Sequence, residues 1–477
     1  MRQRRRFSWA CACLLSLGQG CGGTQPTASQ SAICAALSSN QTLLSANATV
    51  QCGGQDGRWS DYAAPQPGAV VTVGAEDDIA TLVRLANALE VPFLLQSGAN
   101  GWADTFALDT RGLVLDVSQL KDVAFNEARS QVAFQAGVLI EDLVAAAWQN
   151  NARVATGTCN CVSVLGAGLG GGLGRGAGLY GLGLDQLLAV HYVDAEGRQR
   201  TVTNASDADL WWAIKGAGPN FGLVTSVVYQ SYAVAQADNT AWTGLLYFND
   251  SAIEDIVGAI DRLALEPEMQ LDFYFTQGLV AVLPFYLGDE ATGRAKFASV
   301  LDIGPELDAT AVTSYDAWNA AGDAFCAKGG RKPSYEANLQ TLDPTAWRQV
   351  WDAYSLFYET YAEANLTTLL TECYSTAKMQ EIGSAESAYP WRDIKCYSIV
   401  IPWYTSEALD AAANAFGQEV RSILSASSGT DAFSAYINFA HGDETLAEVY
   451  GDSLSRLQTL KKTYDPNGRL NQWFPLS

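Results

Sequence analysis

The first half of the chain alternates between short apolar runs and segments whose apolar side chains recur at helical spacing. Strand-length apolar runs predict strands at residues 68–73, 92–95, 113–117, 131–135, 187–193, 202–203 and 222–232. Residues 77–89 and 139–149 instead carry apolar positions along one side of a helix, and the first of these segments begins with two acids. This order of elements predicts a mixed α+β domain.

The pattern changes near residue 240. Strands are predicted at 269–276, 279–286 and 394–402, and helices at 250–265 and 407–425. Strands interleaved with helices in this way favour an antiparallel sheet backed by helices, with its own core. The last fifty residues predict one more strand, at 433–439, and a helix at 444–462.

A glycine-rich run interrupts the first half. Ten of the eighteen residues from 166 to 183 are glycine, which argues against a regular helix and favours tight packing or close approach of a ligand to the backbone. The run contains GxGxxG, but a nicotinamide-binding fingerprint also needs a helix that opens inside it. Nicotinamide binding and a loop that only packs therefore stay as weaker alternatives.

Composition and charge exclude several classes of partner. The 477 residues include 51 acids and 29 bases, for a net charge of −22, so nucleic acid and anionic membrane surfaces are not expected partners. Two histidines are too few for a His-rich metal centre, and no metal site is predicted. Thirteen Trp and 20 Tyr suit stacking on flat organic molecules.

The amino terminus predicts secretion. Residues 1–23 combine four arginines, a short apolar stretch and small residues, as a secretory signal peptide does. Five Asn-X-Ser/Thr sequons permit glycosylation outside the cytosol: Asn40, Asn47, Asn204, Asn249 and Asn365. In an oxidising compartment Cys34 and Cys52 are expected to form a disulfide.

The remaining cysteines divide into two groups. Cys326, Cys373 and Cys396 leave room for one further bridge whose pairing stays open. Cys159 and Cys161 are separated by one residue, a spacing at which they are not expected to bridge each other. Cys161 is expected to be buried or free, and Cys159 to serve another purpose.

Three separated segments carry the candidate chemistry. Residues 96–102 follow a predicted strand and expose backbone N–H groups suited to a diphosphate, residues 157–172 bring a cysteine and bare backbone, and residues 212–225 form a third such turn. In this order they resemble the FAD-binding domain of the vanillyl-alcohol-oxidase and p-cresol-methylhydroxylase superfamily. Within it, the chain is most similar to the berberine-bridge-enzyme-like FAD-linked oxidases, over roughly residues 34–477.

The resemblance implies an α+β fold with a two-lobed FAD-binding domain at 24–235 and an antiparallel-sheet substrate domain backed by helices at 236–430. Residues 431–477 would return to the FAD-binding domain. The FAD-binding residues it implies are Gln96, Ser97, Gly98, Ala99, Asn100, Gly101, Trp102, Gly157, Thr158, Cys159, Val162, Gly166, Gly168, Gly222, Val224 and Asn471.

Two positions depart from that family's pattern. Asn100 stands where a histidine attaches to the flavin, so no histidyl link forms. Cys159 stands at the cysteine that makes a thioether to the flavin, which leaves either a single thioether or a non-covalent flavin. Phe439 replaces a tyrosine that would serve as base, so Tyr436 and His441 are the candidate catalytic residues.

The function predicted from these features is that of a secreted, monomeric FAD-dependent oxidase. It would transfer a hydride from an alcohol, a sugar or a secondary metabolite to flavin, with O₂ as acceptor. A redox-neutral isomerase or cyclase on the same fold is the alternative, and a non-catalytic binding protein is a third hypothesis.

Overall fold

The structure is a computed structural model that describes residues 31–476 except 40, 55, 56, 103 and 107. The predicted signal peptide and the sequon at Asn40 lie outside the described residues. Among the described residues no helix is both long enough and apolar enough to cross a membrane.

The strands divide between the two halves of the chain. In the first half they are β1 (Thr49–Cys52), β2 (Ala69–Thr72), β3 (Phe93–Gln96), β4 (Leu113–Asp116), β5 (Val123–Phe125), β6 (Gln131–Gln135), β7 (Ala152–Arg153), β8 (Leu187–Val193), β9 (Gln199–Val202), β10 (Leu223–Gln230) and β11 (Tyr232–Ala233). In the second half they are β12 (Thr240–Thr243), β13 (Leu246–Phe248), β14 (Met269–Thr276), β15 (Leu279–Tyr286), β16 (Leu307–Asp308), β17 (Ala311–Ser314), β18 (Tyr335–Leu339), β19 (Thr368–Tyr374) and β20 (Cys396–Ile401).

The helices follow the same division. They are α1 (Ala32–Ser39), α2 (Glu76–Ala88), α3 (Ile140–Gln149), α4 (Val164–Gly168), α5 (Ala177–Tyr180), α6 (Ala208–Ala217), α7 (Ile253–Arg262), α8 (Glu290–Lys296), α9 (Ala298–Leu301), α10 (Pro344–Thr360), α11 (Ala377–Ile382), α12 (Asp410–Ala426), α13 (Leu446–Tyr450) and α14 (Leu454–Tyr464). The predicted α+β class is confirmed.

A small sheet, in the order β1-β2-β4-β3, brings the first candidate segment into place. Strands β2 and β3 both run parallel to β4, and the crossover between β2 and β3 is α2, whose apolar side buries Ile79, Leu82 and Val83. The turn that follows Gln96 lies at the carboxyl end of β3. Ligands of α/β sheets bind beyond the carboxyl ends of parallel strands, so this turn lies where a ligand is expected.

A second sheet, in the order β5-β6-β10-β8-β9, is antiparallel throughout. Its apolar side chains share one core with the small sheet, and the carboxyl-terminal segment contributes Ile437, Leu457 and Phe474 to that same core. The tail is held there by Asn220, whose amide nitrogen donates to the carbonyl of Trp473 at 3.0 Å.

The third sheet has nine strands, with a central order β13-β15-β14-β19-β20-β18. Side chains alternate between its two faces, as the pleat requires. One face packs Phe273, Phe275 and Leu369 against α7, α10 and α12 in a second core. The other face carries Asp272 and Glu372, which lie directly opposite each other on β14 and β19.

Three predictions of secondary structure are wrong. Residues 433–439 form no strand, because their backbone groups bond to isolated partners and not to a neighbouring strand. The N–H of Ala435, for example, donates to the carbonyl oxygen of Glu448. The helix predicted at 444–462 is broken between α13 and α14 at Gly451, which has a φ of +48°. The glycine run does contain two short helices, α4 and α5.

The cysteine pairing also differs from the prediction. The Cys34–Cys52 disulfide is confirmed, and Cys373 bridges to Cys396, its partner in register across β19 and β20. Cys161 was predicted to be buried or free but is disulfide-bonded to Cys326, because the loop that carries it packs on residues 320–326. Cys159 is the free cysteine of the described residues.

Candidate active site

A cavity of about 350 Å³ lies between the first two sheets and the open face of the nine-stranded sheet. That volume is within the range of ligand-binding pockets. One side, which we call the loop wall, consists of residues 96–102, 157–159, 162, 163 and 166. The opposite side, the sheet wall, consists of Asp272, Tyr274, Thr368, Leu370, Glu372 and Ile401.

The turn at 96–102 forms most of the loop wall. Ala99 has a φ of +59°, and a Cβ on Gly98 would lie 3.0 Å from the backbone oxygen of Cys161, so the turn is tightly wound against the next loop. The hydroxyl of Ser97 is buried, lines the cavity and has no partner in the described part of the chain. A buried polar group without a partner is expected to bond to a ligand that enters the cavity.

Twelve of the sixteen predicted FAD-binding residues line the cavity. They are Gln96, Ser97, Gly98, Ala99, Asn100, Gly101, Trp102, Gly157, Thr158, Cys159, Val162 and Gly166. Gly168, Gly222, Val224 and Asn471 lie elsewhere: Gly168 ends α4, Gly222 packs on Tyr192, Val224 is buried in β10, and Asn471 is exposed.

The side-chain amide of Asn100 is hydrogen-bonded to the protein backbone. In the amide orientation that satisfies both ends, its nitrogen donates to the carbonyls of Cys161 at 3.1 Å and Gly98 at 2.9 Å. The side chain therefore joins the two loops of the loop wall. Beside it, the buried Arg58 donates to Gln96 Oε1 at 2.7 Å and to Gly101 O at 2.6 Å, which fixes both ends of the same turn.

The sheet wall carries two buried carboxyl groups that the sequence reasoning missed. Asp272 and Glu372 are 1% and 5% exposed. Burial, together with the charge of Asp272, raises the pKa of Glu372 to about 7. Burial also raises the pKa of Asp272, against the opposing effect of Arg175, whose guanidinium nitrogen lies 3.7 Å from the Asp272 carboxylate. An acid inside an otherwise apolar strand is the signal that could have identified both.

Tyr436 lies where the loop wall meets the carboxyl-terminal segment. Its phenolic oxygen accepts hydrogen bonds from the N–H of Gly172 at 3.1 Å and from the amide of Asn438 at 2.6 Å. A Cβ on Gly171 would lie 2.7 Å from the Tyr436 ring, so the glycine run is needed for this side chain to approach the backbone. Burial raises the pKa of Tyr436 to about 12, although both N–H groups oppose that rise.

The other candidate base, His441, is not among the residues that line the cavity. Its ring stacks on Tyr335 with centroids 4.3 Å apart, and its Nδ1 lies 2.9 Å from Ser334 O. Of the two histidines in the chain, the other, His191, lies on β8 with Nδ1 2.8 Å from the hydroxyl of Thr201. The structure thus brings Tyr436, but neither histidine, to the cavity.

Aromatic side chains close the cavity on a third side. Trp59 lies between Trp102 and Trp403, with ring centroids 5.1 Å and 6.0 Å away, and Trp102 continues to Phe439 at 6.2 Å. The ammonium of the buried Lys332 lies 4.1 Å from the rings of both Trp59 and Trp403. The wall therefore presents a rigid apolar surface on which a planar molecule can stack.

Two family profiles match the chain. One, described as an FAD binding domain, covers residues 67–203, and the other, described as berberine and berberine like, covers residues 435–471. The FAD-linked oxidoreductase OXR1 of Pyricularia oryzae is 32% identical over 427 residues, which cover 86% of this chain and 84% of that protein. The chain belongs to the berberine-bridge-enzyme-like FAD-linked oxidoreductases.

Solved structures agree with this family in fold. The match to Physcomitrella patens BBE-like 1 has a TM-score of 0.80 at 19% identity, and it covers 92% of this chain and 99% of that chain. The carbohydrate oxidase from Microdochium nivale, solved with a substrate analogue, also has a TM-score of 0.80, at 20% identity over 94% of this chain and 100% of its own. These structures show the α+β fold with antiparallel sheets, and the 32% identical relative shows that the protein is an FAD-linked oxidoreductase.

The residues of the cavity fit FAD. The loop wall offers small residues, backbone N–H groups and the unpartnered Ser97 hydroxyl, while Arg58 places a cation next to the turn that would hold a diphosphate. The Cys159 thiol lines the same wall, but burial raises its pKa to about 11, which keeps it protonated at neutral pH.

Proposed function

We propose that this protein is an oxidase that oxidises an alcohol, a sugar or a secondary metabolite and delivers the electrons to O₂. One observation carries the proposal: a single cavity joins the FAD-binding turns to Tyr436 and to a buried carboxyl pair. The carbohydrate oxidase among its structural neighbours supports oxidase chemistry on this fold. Bound FAD supplies the two-electron acceptor for the C–H bond that is oxidised.

Tyr436 is the residue that takes the hydroxyl proton of the substrate in this proposal. It accepts both of its hydrogen bonds from N–H groups, so its oxygen is stabilised when it carries negative charge. Its raised pKa requires a nearby group to receive the phenolic proton first. Glu372 suits that role because its pKa of about 7 lets it cycle between both forms near neutral pH. It lies near enough for its negative charge to raise the pKa of Tyr436, and that opposition ends once Glu372 has taken up the proton.

The remaining side chains of the cavity position substrate and cofactor. Thr158 donates to Glu372 at 3.0 Å and so connects the loop wall to the sheet wall. The tryptophans hold the planar part of the substrate and exclude water. Cys159 lines the cavity and supplies the sulfur of a thioether in this proposal, whereas Asn100 provides no nucleophile for a histidyl-type link.

The buried carboxyl pair also favours a second function, a redox-neutral isomerisation or cyclisation. Glu372 could transfer protons to and from a substrate without net oxidation, because its pKa is near 7. In that case Tyr436 and Glu372 would still be required, but O₂ would not be consumed.

The deciding experiment supplies the purified full chain with panels of aryl alcohols, oligosaccharides and hydroxylated secondary metabolites under air. An oxidase consumes O₂ and releases hydrogen peroxide in equal amounts, and the flavin absorbance bleaches without air and returns with it. Turnover of a panel member with neither O₂ uptake nor bleaching would identify the redox-neutral function. Flavin colour in the acid-precipitated pellet would support the thioether.

Secretion and a monomeric state belong to the same proposal. Three disulfides join described residues, which fits an oxidising compartment. Secretion of the full chain from an expression host, with amino-terminal sequencing of the product, tests the cleavage predicted after residue 23.

A further inference from the structure

Three sulfur atoms lie together where the loop wall meets residues 320–326. Cys161 and Cys326 form a disulfide, and the Cys159 sulfur lies 3.5 Å from that of Cys161 and 4.0 Å from that of Cys326. All three side chains are partly exposed. Because Cys159 and Cys161 are two residues apart on one loop, the same partner is close to both.

Contacts that involve no sulfur hold this loop in place. The amide of Asn160 donates to Asp323 at 2.7 Å, three residues before Cys326, and Thr158 donates to Glu372 on the other side. The N–H of Glu141 bonds to the carbonyl of Asn160 as well. These contacts therefore keep both Cys159 and Cys161 near Cys326, even when no disulfide joins Cys326 to Cys161.

We propose that Cys326 is shared, so that its disulfide exchanges between Cys161 and Cys159, and that the pairing decides whether the cavity carries a thiol. Cys159 lines the cavity, whereas Cys161 and Cys326 are not among the lining residues. When Cys161 holds Cys326, the free thiol faces the cavity. When Cys159 holds Cys326, the free thiol belongs to Cys161, behind the turn that Asn100 joins to it.

The exchange needs no oxidant or reductant. The Cys159 thiol gives its proton to solvent, the resulting thiolate forms a bond to the Cys326 sulfur, and the bond between Cys326 and Cys161 breaks. The electron pair leaves on the Cys161 sulfur, which takes up a proton from solvent, so one disulfide and one thiol are present before and after. Side-chain rotation must first place the Cys159 sulfur in line with the bond that breaks.

The burial of Cys159, and to a lesser degree the charges around it, make this exchange slow at neutral pH. Burial raises the pKa of the Cys159 thiol to about 11, the carboxylates of Glu372 and Asp323 raise it too, and a backbone hydrogen bond with Cys161 opposes them. Below that pKa the thiolate fraction increases tenfold with each pH unit, and the exchange rate is expected to follow it.

One consequence rests on the proposed function. A thioether between Cys159 and FAD consumes the sulfur that exchange requires, so attachment of the cofactor fixes the Cys161–Cys326 pairing. Conversely, a chain that oxidises to the Cys159–Cys326 pairing has no sulfur for that link. The two pairings thus correspond to a chain able to attach FAD covalently and a chain unable to do so.

Cys161→Ser tests the proposal whatever the flavin linkage of the wild type. The full-length variant is quenched in acid, alkylated with N-ethylmaleimide without reductant, digested, and its cysteines are located by fragment masses. We expect a Cys159–Cys326 disulfide, no label on either residue and no covalent flavin. Label on both cysteines, or label on Cys326 with flavin on Cys159, overturns the proposal.

Two controls separate this result from misfolding and from failure of the oxidase proposal. Cys159→Ser should keep the Cys161–Cys326 bridge, and every variant should keep Cys34–Cys52 and Cys373–Cys396 intact. The label positions are read without turnover, so they stand even where no substrate is oxidised. In wild-type chains without covalent flavin, label on Cys161 should appear tenfold faster per pH unit from 7 to 9, and label confined to Cys159 throughout would contradict exchange.

Discussion

The two walls of the cavity are made of different parts of the polypeptide. The loop wall consists largely of small residues, where backbone groups and the Ser97 hydroxyl face the cavity. The sheet wall consists of side chains, with Asp272 and Glu372 buried opposite each other on neighbouring strands. Cofactor binding by backbone tolerates changes of side chain but not added volume, whereas proton chemistry depends on single functional groups.

The largest effect is expected for Tyr436→Phe, which should lower turnover about 10²- to 10⁴-fold, the usual contribution of general acid–base catalysis. The phenolic oxygen is removed while the ring still packs against Gly171, so FAD content should stay at the wild-type level. Steady-state turnover and flavin absorbance per chain measure the two quantities.

His441→Asn is the matched control for Tyr436. Loss of the ring stacked on Tyr335 should destabilise the fold by about 1–2 kcal/mol, because a buried hydrogen bond and its packing are weakened, yet turnover should change less than twofold. A turnover loss at His441 that matches the loss at Tyr436 would show that the cavity has been assigned the wrong base.

The second effect concerns the loop wall. In Gly98→Ala the new Cβ would lie 3.0 Å from the backbone oxygen of Cys161 and 3.1 Å from the nitrogen of Ser163. Overpacking of about 1–3 kcal/mol should weaken FAD binding roughly 5- to 150-fold. Gly168→Ala is the control in the glycine run, because no heavy atom lies within 4 Å of its added Cβ. Equal FAD affinity in both variants, measured by titration of the apoprotein, would remove the loop wall from cofactor binding.

The third effect should appear in the pH profile. If Glu372 must be ionised to receive a proton, turnover rises with pH through about 7, and Glu372→Gln should remove that rise and lower turnover about tenfold at pH 8. In the folded state the pKa of Glu372 exceeds its ordinary value of 4.5, so at pH values between 4.5 and about 7 the folded state binds more protons than the unfolded state. The stability it confers is therefore lost as pH rises from 4.5 through 7. Thermal unfolding of the variant should depend less on pH in that window.

The smallest effect is expected at Thr158, the residue that connects the two walls. Thr158→Val removes the hydroxyl that donates to Glu372, a bond that favours the ionised carboxylate. A hydrogen bond of about 1 kcal/mol corresponds to roughly 0.7 pKa units, so the rising limb of the pH profile should move upward by about that amount. An unshifted limb would indicate that the limb reports another group.

The difference between the loop wall and the sheet wall also explains which parts of the cavity could be predicted from the sequence. The turn at 96–102 was predicted because small residues directly after a strand are visible in one short segment. Asp272 and Glu372 are a hundred positions apart and meet only through the register of β14 and β19, which no local pattern encodes. β18, β19 and α10 were missed, and with them half of the sheet wall.

The tail illustrates the limit of periodicity. Residues 433–439 alternate like a strand, yet their amides bond to scattered groups, among them the carboxylate of Glu336 for the N–H of Tyr436. The Cys161–Cys326 bridge spans 165 positions, so it could not be inferred from spacing either. Tyr436 was found only because a family motif marked it.

The most direct test of the account is the FAD stoichiometry and turnover of a Tyr436→Phe, Glu372→Gln double variant, measured on the same preparation. We expect one FAD per chain, as in the wild type, together with the same loss of turnover, about 10²- to 10⁴-fold, that is expected for Tyr436→Phe alone. A variant that loses its FAD, or one that binds FAD and retains wild-type turnover, would contradict the division of the cavity into a loop wall that binds the cofactor and a separate pair of groups, Tyr436 and Glu372, that moves the proton.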